Sequence, residues 1–197
     1  MRFRNLFFVL IFFSSLGKLI ASDYYGGSIY YKSIGNNQYQ VTAKLIAGCS
    51  ISNFDTAFIT ASDSNGAFKI DIATLVSETD ITGYGSKAGI SRCFNSSLVH
   101  GFVERTYVDT FDLTGKGCEI YFSLIKYSRV SFISTNNLGS NSMYLRAYLN
   151  QCDGNGNSSP EFIAAPKILI DANSKYHQNW GVFEPNSNSE YVIELDT

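Results

Sequence analysis

The sequence predicts an all-β protein, an immunoglobulin-like antiparallel β-sandwich, and three observations carry that expectation. Apolar and polar residues alternate with period two through several short runs, the spacing of half-buried strands. Clusters of Gly, Asn, Ser and Asp separate those runs at about 10-residue intervals, which suits about seven to nine strands joined by turns. Tyr and Phe are abundant (13 and 15) and Pro is scarce (3), a composition that fits pleated surfaces. Helical periodicity is absent beyond the first residues of the chain, and no internal repeat is visible.

Taken in order, Gly26 to Tyr31 reads as a first strand, ended by the turn at Gly35-Asn36-Asn37. Gln38 to Cys49 alternates, with Tyr39, Val41, Ala43 and Leu45 on one side, and is expected to be a central strand. Ala57 to Ala61 makes a third strand, and Asp63-Ser64-Asn65-Gly66 is a hairpin turn marked by Asn-Gly. Ala67 to Leu75 follows with Phe68, Ile70 and Ile72 aligned. Val76 to Ser97 is polar and Gly-containing, the expected surface loop. Glu104 to Leu113 resumes the alternation, Asp153 to Ser159 is a loop, Pro160 to Ile170 is an edge strand interrupted by Pro166, and Tyr191 to Leu195 is a last strand.

The stretch from Cys118 to Cys152 reads as a long hairpin around which the rest is arranged. Ile120, Phe122 and Leu124 share one face of its first arm, and Met143, Leu145, Ala147 and Leu149 share one face of the second. Ser134 to Ser142, rich in Asn, Ser and Gly, supplies the connection. Setting Tyr127 opposite Met143 places Cys118 opposite Cys152, where a disulfide would close the hairpin.

The N-terminus has its own logic. Arg2 and Arg4 precede the apolar run Leu6 to Phe13, and Ala21 and Ser22 are small residues. This is the pattern of a secretory signal peptide over residues 1–22, leaving 23–197 as a single β-sandwich domain. The apolar run is shorter than the ~20 residues a spanning helix needs, so no transmembrane segment is expected after cleavage. The expected location is secreted, periplasmic or cell-surface. In an oxidising compartment four cysteines favour disulfides, with three pairings open. Cys118 with Cys152 is preferred, which leaves Cys49 with Cys93. A zinc site is the alternative, but no close Cys-x-x-Cys spacing occurs and the chain has two His. A net charge of −2 gives no footprint for nucleic acid.

Several segments resemble a family. Gly26-Gly27-Ser28-Ile29-Tyr30-Tyr31 followed by Gly35-Asn36-Asn37-Gln38-Tyr39 through Leu45 is similar to the opening of a module found near the N-terminus of large Bacteroidota surface proteins. Phe102-Val103-Glu104-Arg105-Thr106-Tyr107, Lys126-Tyr127-Ser128-Arg129 and Asn157-Ser158-Ser159-Pro160-Glu161-Phe162 resemble later motifs of that module. The resemblance implies an exported domain of gliding-motility-associated, type IX secretion-type proteins, often set before further surface domains. Phe102, Tyr127 and Ser128 stand where the family has Cys, and Cys118 stands where it has none, so the family's disulfides do not carry over. A chain ending at Thr197 is expected to be a truncated copy or a stand-alone module.

Chemistry-bearing patterns are few. His100 and His177 are tied to no nucleophile, and no G-x-S-x-G elbow occurs. The expectation is therefore a non-enzyme without cofactor. Asp153, Asn155 and Asn157 begin a weak calcium pattern, but its twelfth position is Ala164 rather than Glu. Tyr121, Tyr144 and Tyr148 with Arg146 share the outward face of the hairpin, a ligand face for a surface protein or glycan, or equally a set of cross-strand packing residues. Asn95 and Asn157 begin glycosylation sequons. Two functions follow from this reading: a structural or adhesive cell-surface module, or a small carbohydrate-binding module assisted by calcium.

Overall fold

A computed structural model describes residues 24–48, 56–81, 101–127, 142–153, 156–163, 175, 181–183 and 185. Among them the regular structure is entirely β. The strands are β1 (Tyr24–Gly35), β2 (Gln38–Gly48), β3 (Ala57–Asp63), β4 (Gly66–Asp80), β5 (Phe102–Asp112), β6 (Glu119–Lys126), β7 (Met143–Asn150) and the short β8 (Glu161–Phe162) and β9 (Val182–Phe183). Every strand pair is antiparallel. Seven strands form one sheet in the order β1-β2-β5-β4-β3-β6-β7, and β8 pairs with β9. In place of two separate stacked sheets, the main sheet curls on itself and nearly closes into a barrel.

The curl has a local cause in β4. Its first half, through Ala73, pairs with β3, while Thr74 to Asp80 pairs with β5, and a bulge interrupts that second ladder at Val76. A strand that passes from one wall to the other through a bulge makes a corner of this kind. It also corrects one sequence expectation: Val76 to Asp80, assigned to a loop, is strand. The apolar, β-branched Val76 fills the extra position, so polarity alone was a poor guide there.

Two hairpins set the tight end of the sheet. Asn36 (φ 52°) and Asn37 (φ 56°) are both left-handed between the paired Gly35 and Gln38. This is a two-residue type I′ loop, whose twist matches the strands it joins. In the second, Asp63 pairs with Gly66, the Asp63 carboxylate accepts the Asn65 N–H at 2.7 Å, and Gly66 takes the positive φ (117°). Asp first and Gly fourth is the type I signature, so the Asn-Gly dipeptide acts one place away from its usual position.

Alternation sorts the side chains. Tyr39, Val41, Ala43 and Leu45 of β2, Tyr107 and Phe111 of β5, and Ile120, Phe122 and Leu124 of β6 are buried together inside the curl with Ile59 and Leu149. The rings of Tyr31, Tyr39, Phe111 and Phe122 interlock at centroid distances of 5.4–6.0 Å.

The β6–β7 hairpin is present, with its register one residue from the expected one. Lys126, not Tyr127, lies opposite Met143, which sets Ile120 against Leu149 and Leu124 against Leu145. Directly opposed residues of an antiparallel pair point to the same side. The expected register would have set core-facing residues against outward ones, so the observed one is the register that buries both faces. Cys118 and Cys152 are nevertheless bonded, with Cα atoms 5.0 Å apart. The bridge is diagonal: Gln151 N–H donates to the Cys118 carbonyl, and Cys152 N–H turns back to the Asn150 side chain. Cys49, Cys93, the Ser134–Ser142 connection except Ser142, most of the Pro160–Ile170 segment and the Tyr191–Leu195 segment lie outside the described residues.

The seam between β1 and β7 is closed by specific contacts. The Tyr31 hydroxyl donates to the Tyr148 carbonyl at 2.9 Å. Gly27 allows the approach: a Cβ there would lie 2.6 Å from the Lys44 carbonyl oxygen and 3.1 Å from a Leu145 methyl. Ser158 and Ser159 lie along β1, their hydroxyls accepting the Ser33 and Tyr31 N–H groups at 3.1 and 2.8 Å, and Ser159 N–H donates to the Tyr31 carbonyl. From there the chain crosses the outer face of β2, where Glu161 meets Lys44 at 2.6 Å.

Candidate functional site: the outer face of the central hairpin

Position on the strands decides what β6 and β7 offer outward. Because Ile120, Phe122 and Leu124 point inward, Glu119, Tyr121, Ser123 and Ile125 must point out, opposite Asn150, Tyr148, Arg146 and Tyr144. Tyr121 and Tyr148 are thus direct cross-strand neighbours, with ring centroids 5.3 Å apart and planes tilted by 42°. Arg146 lies diagonally from Tyr121, and its guanidinium carbon sits 4.9 Å from that ring's centroid. The stack holds a long cationic side chain in a fixed pose on an exposed face.

The electrostatics of the face favour a neutral phenol at Tyr148. Partial desolvation raises the Tyr148 phenol above its ordinary value, and the carboxylates of Glu119 and Asp153 and the hydrogen bond with Glu119 add to the rise. Tyr148 therefore stays a hydrogen-bond donor through neutral pH. The arrangement offers two ring faces, two phenolic hydroxyls and the guanidinium's donors. Tyr144 shares this outward face as expected, one row from Arg146, opposite Ile125 and exposed.

The other expected sites are placed as follows. Asp153 is exposed after the β7 end, and Asn155 lies outside the described residues. Among the described residues no group of three or more His, Cys, Asp or Glu could hold a metal ion. One carboxylate is a poor donor set for calcium. His100 and His177 lie outside the described residues. No helix among the described residues is long and apolar enough to cross a membrane.

Two buried charges were not anticipated. Arg105 on β5 is 3% exposed, and its Nε donates to Glu78 on the neighbouring β4 at 2.5 Å. Lys126 ends β6 inside the curl, its ammonium 2.6 Å from the Thr56 carbonyl and 5.1 Å from the Tyr24 ring centroid. The signal was available: Lys126 continues the inward set Ile120, Phe122, Leu124, and Arg105 falls between the inward Val103 and Tyr107. No family model, curated protein or solved structure matches the chain.

Proposed function

We propose that the protein is an exported, non-enzymatic module of the cell surface that adheres to a partner through Tyr121, Arg146 and Tyr148. The observation that carries this reading is the stacked trio itself: an arginine and two tyrosines on an open sheet face, pre-ordered by strand register. Rigid aromatic area costs little entropy on binding, and arginine and tyrosine are the residues most often found at the energetic centre of interfaces. The Cys118–Cys152 bridge favours an oxidising compartment, and the signal-peptide pattern and the resemblance to Bacteroidota gliding-motility modules agree with export. The bend of β4, which divides the sheet into two facing walls, supports an immunoglobulin-like, sandwich-type relationship.

A small carbohydrate-binding module is the second reading, favoured by the tilted ring pair, which suits the C–H face of a sugar while Arg146 and the phenols reach its hydroxyls. Binding of the purified chain to host-cell surfaces and to a glycan array, with and without calcium, tests both. Tyr121→Ala and Tyr148→Ala are expected to weaken binding at least about tenfold each without a change of fold. Retained binding in both variants would overturn the assignment, and glycan-array signal selects the second reading.

A further inference from the structure

The wall made by β3, β4, β6 and β7 carries a second feature, independent of the tyrosine–arginine trio. Ile72 on β4 lies opposite Phe58 on β3, the next step of the β3–β6 ladder brings Phe58 beside Ile125, and Ile125 lies opposite Tyr144 on β7. One row of large side chains thus runs across four strands. Ile70 extends it in the adjacent row, and Tyr127 follows Ile125 on the same face. These six point outward, and their exposures run from 47% for Ile125 to 75% for Tyr127. The chain does cover an outer wall, but a different one: the Ser158 to Glu161 segment lies against β1 and β2.

We propose that this stripe is the interface between two copies of the chain, packed face to face about a two-fold axis through the β3–β6 wall. The area supports it. At their observed exposures the six side chains present roughly 500–600 Å² of surface, taking about 150 Å² for each, the low end for an aromatic side chain. That is the top of the range for the largest patch on a monomer, ~300–600 Å². It would also supply most of the about 800 Å² per partner of a stable complex. The shape supports it as well. A sheet face is flat and ribbed, its natural complement is another sheet face about 10 Å away, and a two-fold axis lays the stripe on itself. The charge argues against the other occupants. Lys69 points to the other face of β4, its ammonium 4.7 Å over the buried Phe111 ring, and Arg146 on the wall is committed to the Tyr121 ring, so the wall offers no basic cluster for an anionic membrane among the described residues. Ile70, Ile72, Ile125 and Phe58 have no polar atoms with which to recognise a sugar. Tyr121 and Tyr148 lie two rows from the stripe, while Arg146 shares the row of Ile70 and would border the interface.

Sedimentation of the purified full-length secreted chain between about 1 and 100 µM, the affinity range of modest interfaces, tests this. A concentration-dependent dimer is expected. Ile70→Glu with Ile72→Glu should raise its dissociation constant at least about a hundredfold by burying unpaired charge. Ile70→Thr with Ile72→Thr, which preserves β-branching on an exposed strand, should weaken it while leaving the circular dichroism spectrum and melting temperature unchanged. A monomer at every concentration would overturn the proposal, whatever covers the stripe. So would a dimer of unaltered affinity in the folded Thr variant.

Discussion

Asp109 holds the clearest electrostatic conflict in the described structure. One carboxylate oxygen accepts the Thr110 N–H at 2.7 Å, while the other is buried without a partner. Burial raises its pKa, the Thr110 N–H lowers it, Asp71 raises it and Lys69 lowers it, and the net shift is upward. An unfolded Asp titrates near about 3.9. The native state therefore binds this proton more tightly than the unfolded chain, and stability falls as pH rises through the native value. Asp109→Asn should melt higher than the parent at pH 7, and the gain should vanish below about pH 3, where both states are protonated. Melting scans at the two pH values check this, and an unchanged or lower midpoint at pH 7 would contradict it. Arg105 is the opposite case, a buried cation whose described acidic neighbour is Glu78. Glu78→Ala should cost about 1–3 kcal/mol, or roughly 2–12 °C in melting temperature for a domain of this size. Such conflicts were not legible from composition, since a Lys or Arg at an inward position looks the same in sequence as one at an outward position until the strand's phase is fixed.

At the scale of elements, the β6–β7 hairpin depends on its phase and its bridge. The Cys118–Cys152 bond spans 34 positions, and the chain-entropy estimate for such a loop is about 3–4 kcal/mol. Replacing both by Ser should lower the melting temperature by roughly 10 °C while the strand spectrum persists; a shift of only a degree or two would show that the strands alone hold the hairpin. The pattern of Ile120, Phe122, Leu124, Met143 and Leu149 was enough to read both arms and their inward faces. It was also enough to exclude the expected register, because Ile120 had to meet a core-facing residue, which fixes the register modulo two. Choosing Tyr127 as the partner of Met143 gave the right disulfide by a wrong ladder, since the turn at Gln151 brings Cys152 back toward Cys118. The aligned set Phe68, Ile70 and Ile72 shows the limit of period-two reading: it identifies a face without saying which way the face points, and Ile70 and Ile72 face out.

Over the whole molecule, strand order is what the sequence withheld. Local alternation and turn residues locate β1 to β7, but β2 joins β5 and β3 joins β6 through pairings distant in sequence, and the bulge at Val76 that lets β4 serve both β3 and β5 has no marker of its own. The closure of β1 on β7 was equally hidden, although Gly27 and the Ser158-Ser159 pair were both in view. Gly27→Ala should cost about 1–3 kcal/mol, because a strand backbone rather than a flexible side chain must move. Ser159→Ala should leave the fold intact and speed hydrogen exchange at the Tyr31 amide, whose partner is that hydroxyl. Exchange at parental rates would show that the seam is held from elsewhere.

The Ser158-Ser159 strap can finally be viewed as a guard against polymerisation. A curled sheet that stops short of closure leaves two strands with unused backbone donors and acceptors, and such rows recruit strands from other molecules. Here the strap occupies the Tyr31 and Ser33 amides, and the Tyr31 hydroxyl occupies a carbonyl of the opposite edge strand. A chain cut before Ser158 would keep its core while presenting β1 as a template for strand addition. It should form thioflavin-binding assemblies by edge pairing, a route distinct from any association through the apolar wall.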